Sequence, residues 1–366
     1  MNLYGVVLWL LTAIINSIAI PIIAWLGNLL WFIRPVTDFA IALLKNDAFL
    51  NFVVVFAEAF IILIYIALFI IILLWFERKM WGRFQDRRGP MHVGYAGLLQ
   101  IFADMMKIFG KEDIIPKKAD KLLFTLCPII VTATAFLALV ALPMSDGFVI
   151  ARLDGGLLFV FAAFSLAPLG VFIGGWGANN KYTLQGALRG AAQMISYEVP
   201  LLFSVLGVVM LAGSFNIMDI VHRQTIWYAL LQPIGLFVFF TAATAEIERP
   251  PFDIPEAESE LVAGWQTEYA GMKYGICWVA EWIRMYVGAA LVVLLFFGGW
   301  NGPWLPQEIW FQIKLWIILI FMIWVRQSFP RPRIDQLLNL GWKRLLPLSI
   351  VNIVLTIGIV ASGWLG

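Results

Sequence analysis

Histidine and cysteine are almost missing from this sequence, with two of each in 366 residues. Cys127 and Cys277 lie in apolar runs without CxxC or Cys/His spacing, so the chain offers no ligand set of its own for an iron–sulfur cluster or a structural zinc. His92 and His222 fall in separate loops, assigned below to opposite membrane faces, which argues against an intramembrane bis-histidine haem. Charge is scarce as well: 13% of residues are charged against 62% hydrophobic, and the mean hydropathy is +0.88. A soluble domain of this length lacks the interior volume to hide so much apolar surface, whereas a bilayer removes that limit. The net charge of +2 and its distribution fit neither nucleic-acid binding nor a disordered tail. No Lys or Arg precedes Arg34, so the apolar N-terminus lacks the basic start of a signal peptide and reads as a retained membrane helix. There is no internal repeat, low-complexity tract or Ser/Gly linker.

What is abundant is long apolar sequence. Nine stretches can cross about 30 Å of hydrocarbon as helices: residues 4–32, 53–76, 122–143, 157–176, 197–213, 226–245, 276–298, 311–325 and 346–365. The fifth and eighth are short, and each can gain length toward its N-terminal side, the eighth from near Ile309. With the N-terminus inside, the loops at 77–121, 177–196, 246–275 and 326–345 are inner and carry 19 of the 25 Lys and Arg. The outer loops carry four, which is the asymmetry of the positive-inside rule. Tryptophans such as Trp75, Trp81, Trp300 and Trp364 stand near helix ends, as interfacial anchors do. The fold class is therefore an all-α polytopic membrane protein of about nine transmembrane helices with amphipathic inner-side loop helices. It divides into an additional N-terminal helix with its outer loop, 1–52, and a membrane domain, 53–366.

Two inner loops are not ordinary connectors. Residues 77–121 combine Glu77 and a basic cluster (Arg78, Lys79, Arg83, Arg87, Arg88) with a glycine–proline turn. An amphipathic stretch follows, with Leu98, Leu99, Phe102, Met105, Met106 and Phe109 at helical spacing. Its lysines suit lipid headgroups, and its arginines suit a fixed protein or ligand contact. Residues 245–275 hold six carboxylates between Glu246 and Glu260 (Glu246, Glu248, Asp253, Glu256, Glu258, Glu260) against Arg249 alone. A helix opening at Pro255 accounts for one or two acids in its first turn and places Glu256 and Glu260 on one face. It does not account for six on the face where cations prevail. Crowded carboxylates repel one another, so some stay protonated near neutral pH, which suits proton loading and release or cation binding. Within the membrane, Glu281 and Arg284 stand one turn apart and can pair. Glu198 follows Arg189, a candidate partner. A charge at this depth costs about 2.5–3.5 kcal/mol on insertion scales, so each marks a candidate site. Glu58 and Lys314 lie near outer helix ends, from which both can snorkel.

Five strings in order resemble one membrane component of respiratory complex I, the H subunit of bacteria and the NADH dehydrogenase subunit 1 of mitochondria. They are ERKMWGRFQDRRGP, GLLQIFADMMKIFGKED, NNKYTLQGALRGAAQMISYEVP, RPPFDIPEAESELVAGWQTEYAGMKYG with AEW just after, and RPRIDQLLNLGWKRLLPL. The resemblance implies a subunit of a proton-translocating NADH:quinone oxidoreductase, with no redox centre or metal of its own. It forms a quinone chamber shared with partners at the junction with the peripheral arm, from which an acidic funnel leads into the membrane. On the matching positions, Glu246, Asp253, Glu256, Glu258 and Glu260 are the funnel acids, and Glu198 and Glu281 carry the path inward. Arg249, Arg189 and the Arg87–Arg88 pair set the charge balance and contact the peripheral arm, with Glu77 and Arg78 in the same basic-loop region. The implied partners are the Fe–S and quinone-site subunits of that arm, small and antiporter-like membrane subunits, lipid and quinone. The implied location is a bacterial or archaeal cytoplasmic membrane.

The sequence also departs from the family pattern. Residues 1–45 have no counterpart in short members, Glu248 replaces a neutral residue, Trp282 replaces the tyrosine of AEY, and Arg284 is an additional charge. Two other readings are a homologous component of a coenzyme F420 dehydrogenase or energy-converting hydrogenase, and a stand-alone ion transporter. The complete basic and acidic loops favour a lipid-soluble acceptor over the former. The missing inverted repeat counts against the latter.

Overall fold

The computed structural model describes residues 3–23, 41–42 and 46–362, with the side chains of Leu3, Tyr4 and Glu258 outside that description. The expected continuation of the first helix to residue 32 and most of the outer loop after it also lie outside the described residues. The helices are α1 (Gly5–Ile23), α2 (Asp47–Phe84), α3 (Gln100–Gly110), α4 (Lys121–Val140) and α5 (Gly156–Gly177). They continue with α6 (Lys181–Ala212), α7 (Pro233–Glu246), α8 (Gly271–Phe296), α9 (Gln307–Ser328) and α10 (Ile334–Ala361). Eight of these are long and apolar enough to cross a membrane, and α7 is a shorter apolar helix. Among the described residues, β structure is limited to one isolated bridge between Ser145 and Phe148. The protein is an all-α polytopic membrane protein.

The chain forms two compact units, Met1–Phe69 with Pro143–Ile150, and Ile70–Leu142 with Ala151–Gly366. In the first, Tyr65 meets Phe148 edge-on at 6.2 Å, and Glu58 is buried instead of reaching outward. The second holds everything described below. Its centre is α8, which is buried over almost its whole length. Around it, α4 packs on α8 and α5, while α6 packs on α5, α7 and α10. Small residues set these approaches. A Cβ on Gly174 of α5 would stand 2.3 Å from the Cys127 sulfur of α4, and one on Gly175 would stand 2.2 Å from Ala187 Cβ of α6. Helices in lipid gain their association from such close packing.

Several helices differ from their sequence-based bounds: α2 runs on through Arg78, Lys79 and Arg83 to Phe84, and α10 starts at Ile334, both inside segments expected as inner loops. The segment expected as an inner loop at 177–196 is mostly helix: Asn180 caps the start of α6, which runs 32 residues through Pro200 to a left-handed Gly213. Lys181 and Arg189 are therefore helical. The expected span at 226–245 breaks at Gln232, because Pro233 restricts the residue before it and starts α7 afresh. The N-terminus of α7 has no local side-chain cap; Asn352 of α10 supplies one by accepting the Gly235 N–H at 3.1 Å. In lipid such orphan donors must find protein partners. Lys314 likewise does not snorkel. Its ammonium donates to the carbonyls of Phe297, Gly299 and Asn301 at 2.7–2.9 Å, just beyond the C-terminus of α8.

Candidate functional site

The acidic loop begins where α7 ends. The Glu248 N–H bonds the Ala245 carbonyl and the Arg249 N–H bonds that of Thr244, the double closure that usually places glycine in the left-handed position. Here Glu248 occupies it, at φ 59°. Gln193 of α6, fully buried, holds the bend by donating to the carbonyls of both Ala245 and Phe252 at 2.8 and 2.6 Å. Phe252 packs against Tyr197, with ring centres 5.7 Å apart. Further along, no helix starts at Pro255: the single turn is Glu258–Leu261. Ala257, at φ 17° and ψ 67°, stands outside the helical region, and the Pro255 carbonyl lies against Gly264 and Gly186, where a Cβ would stand 1.7 and 2.8 Å away. The shared face expected for Glu256 and Glu260 is replaced by two different surroundings. Glu256 accepts from Gln266 at 2.8 Å, whereas Glu260 is exposed and pairs with Arg189 at 2.5 Å.

The buried charges pair across the loop and α8. Glu281 and Arg284 do not pair with each other. Arg249 Nε reaches Glu281 Oε1 at 3.1 Å, and the Arg249 guanidinium lies 4.1 Å from the Trp282 ring centre. Arg284 Nη2 stands 3.9 Å from Glu248 Oε2. Glu248 and Arg284 thus meet across the loop and α8. All four residues are less than 9% exposed. Gly190 of α6 leaves the room: a Cβ there would stand 3.1 Å from Glu248 Oε1. Glu246, also buried, is close enough to Glu198, Glu248 and Arg284 to interact electrostatically. Arg189, bound to Glu260, is not Glu198's partner in this arrangement.

Toward the loop surface, Asp253 pairs with Arg331 at 2.7 Å, and Arg326 pairs with Glu77 and stacks on Trp81 at 4.6 Å. Arg326 and Arg331 carried no signal in sequence beyond membership of a basic inner loop, since their partners are remote along the chain. A cavity of 330 Å³ lies there, lined by Trp81, Pro250, Asp253, Glu256, Arg326 and Arg331 among others. A second cavity, of 470 Å³, is lined by Arg78, Asp104, Lys107 and Lys111 on one side and Tyr269, Tyr274 and Trp278 on the other. Arg78 binds Asp104 there at 2.5 Å. Helix α3 has the expected amphipathic pattern, with Phe102, Met106 and Phe109 exposed. The glycine–proline turn folds back on α2, where Lys79 donates to the Pro90 carbonyl at 2.6 Å. Arg87 and Arg88 are exposed beside it.

Proton affinity is raised at three carboxylates of the loop, Glu248, Asp253 and Glu256. Burial pushes Glu248 up to about 7 against the pull of Arg284. Burial pushes Asp253 up to about 6 against that of Arg331. Glu256 stands well above the usual carboxylate range, first through burial and then through Glu281, Asp253 and Glu248 nearby. Glu248 and Asp253 thus exchange protons near neutral pH. Among the described residues, no group of three or more His, Cys, Asp or Glu has the arrangement of a metal site.

The family profile described as NADH dehydrogenase matches residues 57–357. The H subunit of NADH-quinone oxidoreductase from Dehalococcoides mccartyi (strain CBDB1) is 47% identical over 287 residues, covering 78% of this chain and 81% of that protein. The protein of the same name from Geobacillus thermodenitrificans (strain NG80-2) is 47% identical over 312 residues, 84% of this chain and 94% of its own. That from Geobacillus kaustophilus (strain HTA426) is 50% identical over 286 residues, 76% and 86% respectively.

Proposed function

From the premise that the chain belongs to the NADH dehydrogenase family, we propose that it is the membrane subunit of a quinone-reducing respiratory complex and links quinone reduction to proton translocation. The observation that carries this reading is the charge arrangement at the acidic loop: buried carboxylates, each near an arginine, beside an open cavity lined by Asp253, Glu256, Arg326 and Arg331. The 470 Å³ cavity between α2, α3 and the start of α8 has the composition a quinone needs, with aromatic side chains for its ring and tail and Arg78 and two lysines for its carbonyls.

Reduction of a quinone takes two electrons and two protons. The sequence has no cysteine or histidine spacing for a redox centre, so the electrons come from Fe–S partner subunits. The exposed Arg87 and Arg88 are suited to docking the peripheral arm that carries them. Protons drawn by the reduced quinone change the charge at the cavity that Asp253 and Glu256 line. The change passes to Glu248 and Arg249 and across to Glu281, Glu246 and Glu198. Each of these steps rests on Coulomb energy between close buried charges, which low-dielectric surroundings strengthen. From there the path continues to antiporter-like membrane partners.

The test is purification of the membrane complex through a tag on this chain, followed by measurement of inhibitor-sensitive reduction of a short-chain quinone. Activity with Fe–S subunits present is the expected result. A partnerless protein that conducts ions after reconstitution would overturn the reading.

A further inference from the structure

We propose that Glu248 and Arg284 are a positioning pair: by binding each other across the loop and α8, they keep Arg249 on Glu281. The inference deepens the proton-path reading above and rests on it for its consequence in turnover. Its geometry stands separately.

Two glutamates and two arginines lie at this junction, and the obvious pairings are local. Glu248 and Arg249 are chain neighbours, and Glu281 and Arg284 are one helical turn apart on α8. Neither local pair forms. The ion pairs cross instead, Arg249 to Glu281 at 3.1 Å and Arg284 to Glu248 at 3.9 Å. The backbone supplies the cause. Glu248 is in the left-handed conformation, so the chain reverses between it and Arg249, and their side chains meet different turns of α8. Trp282 holds the Arg249 guanidinium from its face. No comparable ring contact holds Arg284; its Nε and Nη1, like Arg249 Nε and Nη2 and Glu248 Oε1, find no hydrogen-bond partner among the described residues, so the Trp282 face is what sets Arg249 apart.

Arg284 is therefore committed to Glu248 mainly by charge. With Arg284 neutralised, Glu248 becomes a second anion beside Arg249, which must then divide itself between Glu248 and Glu281. With Glu248 neutralised, Arg284 is free to turn to Glu281 one turn away and displace Arg249. Removing both restores a single Arg249–Glu281 bond. A buried pair broken on one side costs more than one removed from both, and non-additivity is its measurable form.

The charged and titratable groups facing Glu248 come from several elements. They are Glu281 and Arg284 from α8, Asp253 and Glu256 from the loop itself, Glu246 from the end of α7 and Cys127 from α4. Removing a cation from this set makes the loop carboxylates hold protons more tightly, and removing an anion does the reverse.

The experiment is a double-mutant cycle in the purified complex with Glu248→Asn, Arg284→Gln and the two combined. Asparagine is chosen because it tolerates the left-handed backbone without charge. Melting temperature and the pH profile of quinone turnover are read for each. At pH 8, where Glu248 is ionised, Arg284→Gln is expected to lower the melting temperature by leaving a buried anion unpaired, and the double variant to recover most of the loss. The acid limb of turnover should move up by about one pH unit in Arg284→Gln, down in Glu248→Asn, and return close to wild type in the double variant.

Additive losses in the cycle, or single variants that leave the acid limb in place, would overturn the pair. If Arg284→Gln fails to assemble, assembly of Arg284→Lys and of the double variant supports the pair, and failure of the double variant overturns it. A wild-type complex that reduces no quinone would sink the functional reading instead, and the melting cycle alone would then decide the pair.

Discussion

Glu248, Asp253 and Glu256 share one short loop, yet each is held by a different partner: Arg284, Arg331 and Gln266. Their raised proton affinities have a common first cause in burial, and the partners set the differences. Glu256 borders the cavity and accepts from an amide rather than a cation, so it is the group best placed to take up and release a proton. Glu256→Gln should therefore reduce quinone turnover and proton pumping together, by at least about tenfold, in a complex that still assembles. An assembled variant with full coupled turnover would remove Glu256 from the mechanism. A second expectation concerns pH and stability. Glu248 holds its proton up to about 7 when folded, against an ordinary value of 4.5. A raised folded value stabilises below the unfolded value, and that contribution is lost as pH rises through about 7. Melting temperature should thus fall between about pH 5 and pH 8, and the fall should be shallower in Glu248→Asn; an unchanged slope would assign the titration to other groups.

At the scale of elements, the loop is positioned by side chains of α6 more than by any secondary structure of its own. Gln193 donates to carbonyls on both arms of the bend. Gln193→Leu keeps the volume and removes both bonds, at a cost of about 1–3 kcal/mol for the Phe252 carbonyl left unpaired, while that of Ala245 keeps the Glu248 N–H. Hydrogen exchange should then rise through residues 245–256 while α8 stays protected. Uniform exchange across both would mean that the loop is held by something other than this amide. Glu260 had the same sequence signal as its neighbours but ended on the exposed side, bound to Arg189. Its location depends on a turn that begins at Glu258, with the Pro255 carbonyl seated against glycines where a helix was expected.

For the whole molecule, the charge asymmetry of the loops predicts that the N-terminus and the basic and acidic loops lie inside. Reporter fusions in the loop at 85–95 should be active as cytoplasmic markers, and fusions near Trp304, which is fully exposed, as external ones. The opposite pattern would invert the orientation and put the acidic loop on the wrong face for the electron-delivering arm. The nine crossings expected from the sequence require α7 as one of them, and its 14 residues span about 21 Å as a helix. It is short for a full crossing unless the turns before it add to its length.

Much of this was decided by sequence alone. Hydropathy determined that the chain is an all-helical membrane protein, because apolar runs of this length have no other stable environment. The excess of acids on the inner side marked the loop, because cations are the norm there. Local spacing determined the helix α3 and the turn at Gly89–Pro90, because both depend on neighbours in the chain. Tertiary structure alone decided who binds whom. Glu281 passes over Arg284 for Arg249, Asp253 finds Arg331, and Lys314 turns inward to three carbonyls. Such choices depend on how the backbone brings remote segments to one depth, and buried charges take the partner that packing delivers rather than the one nearest in sequence.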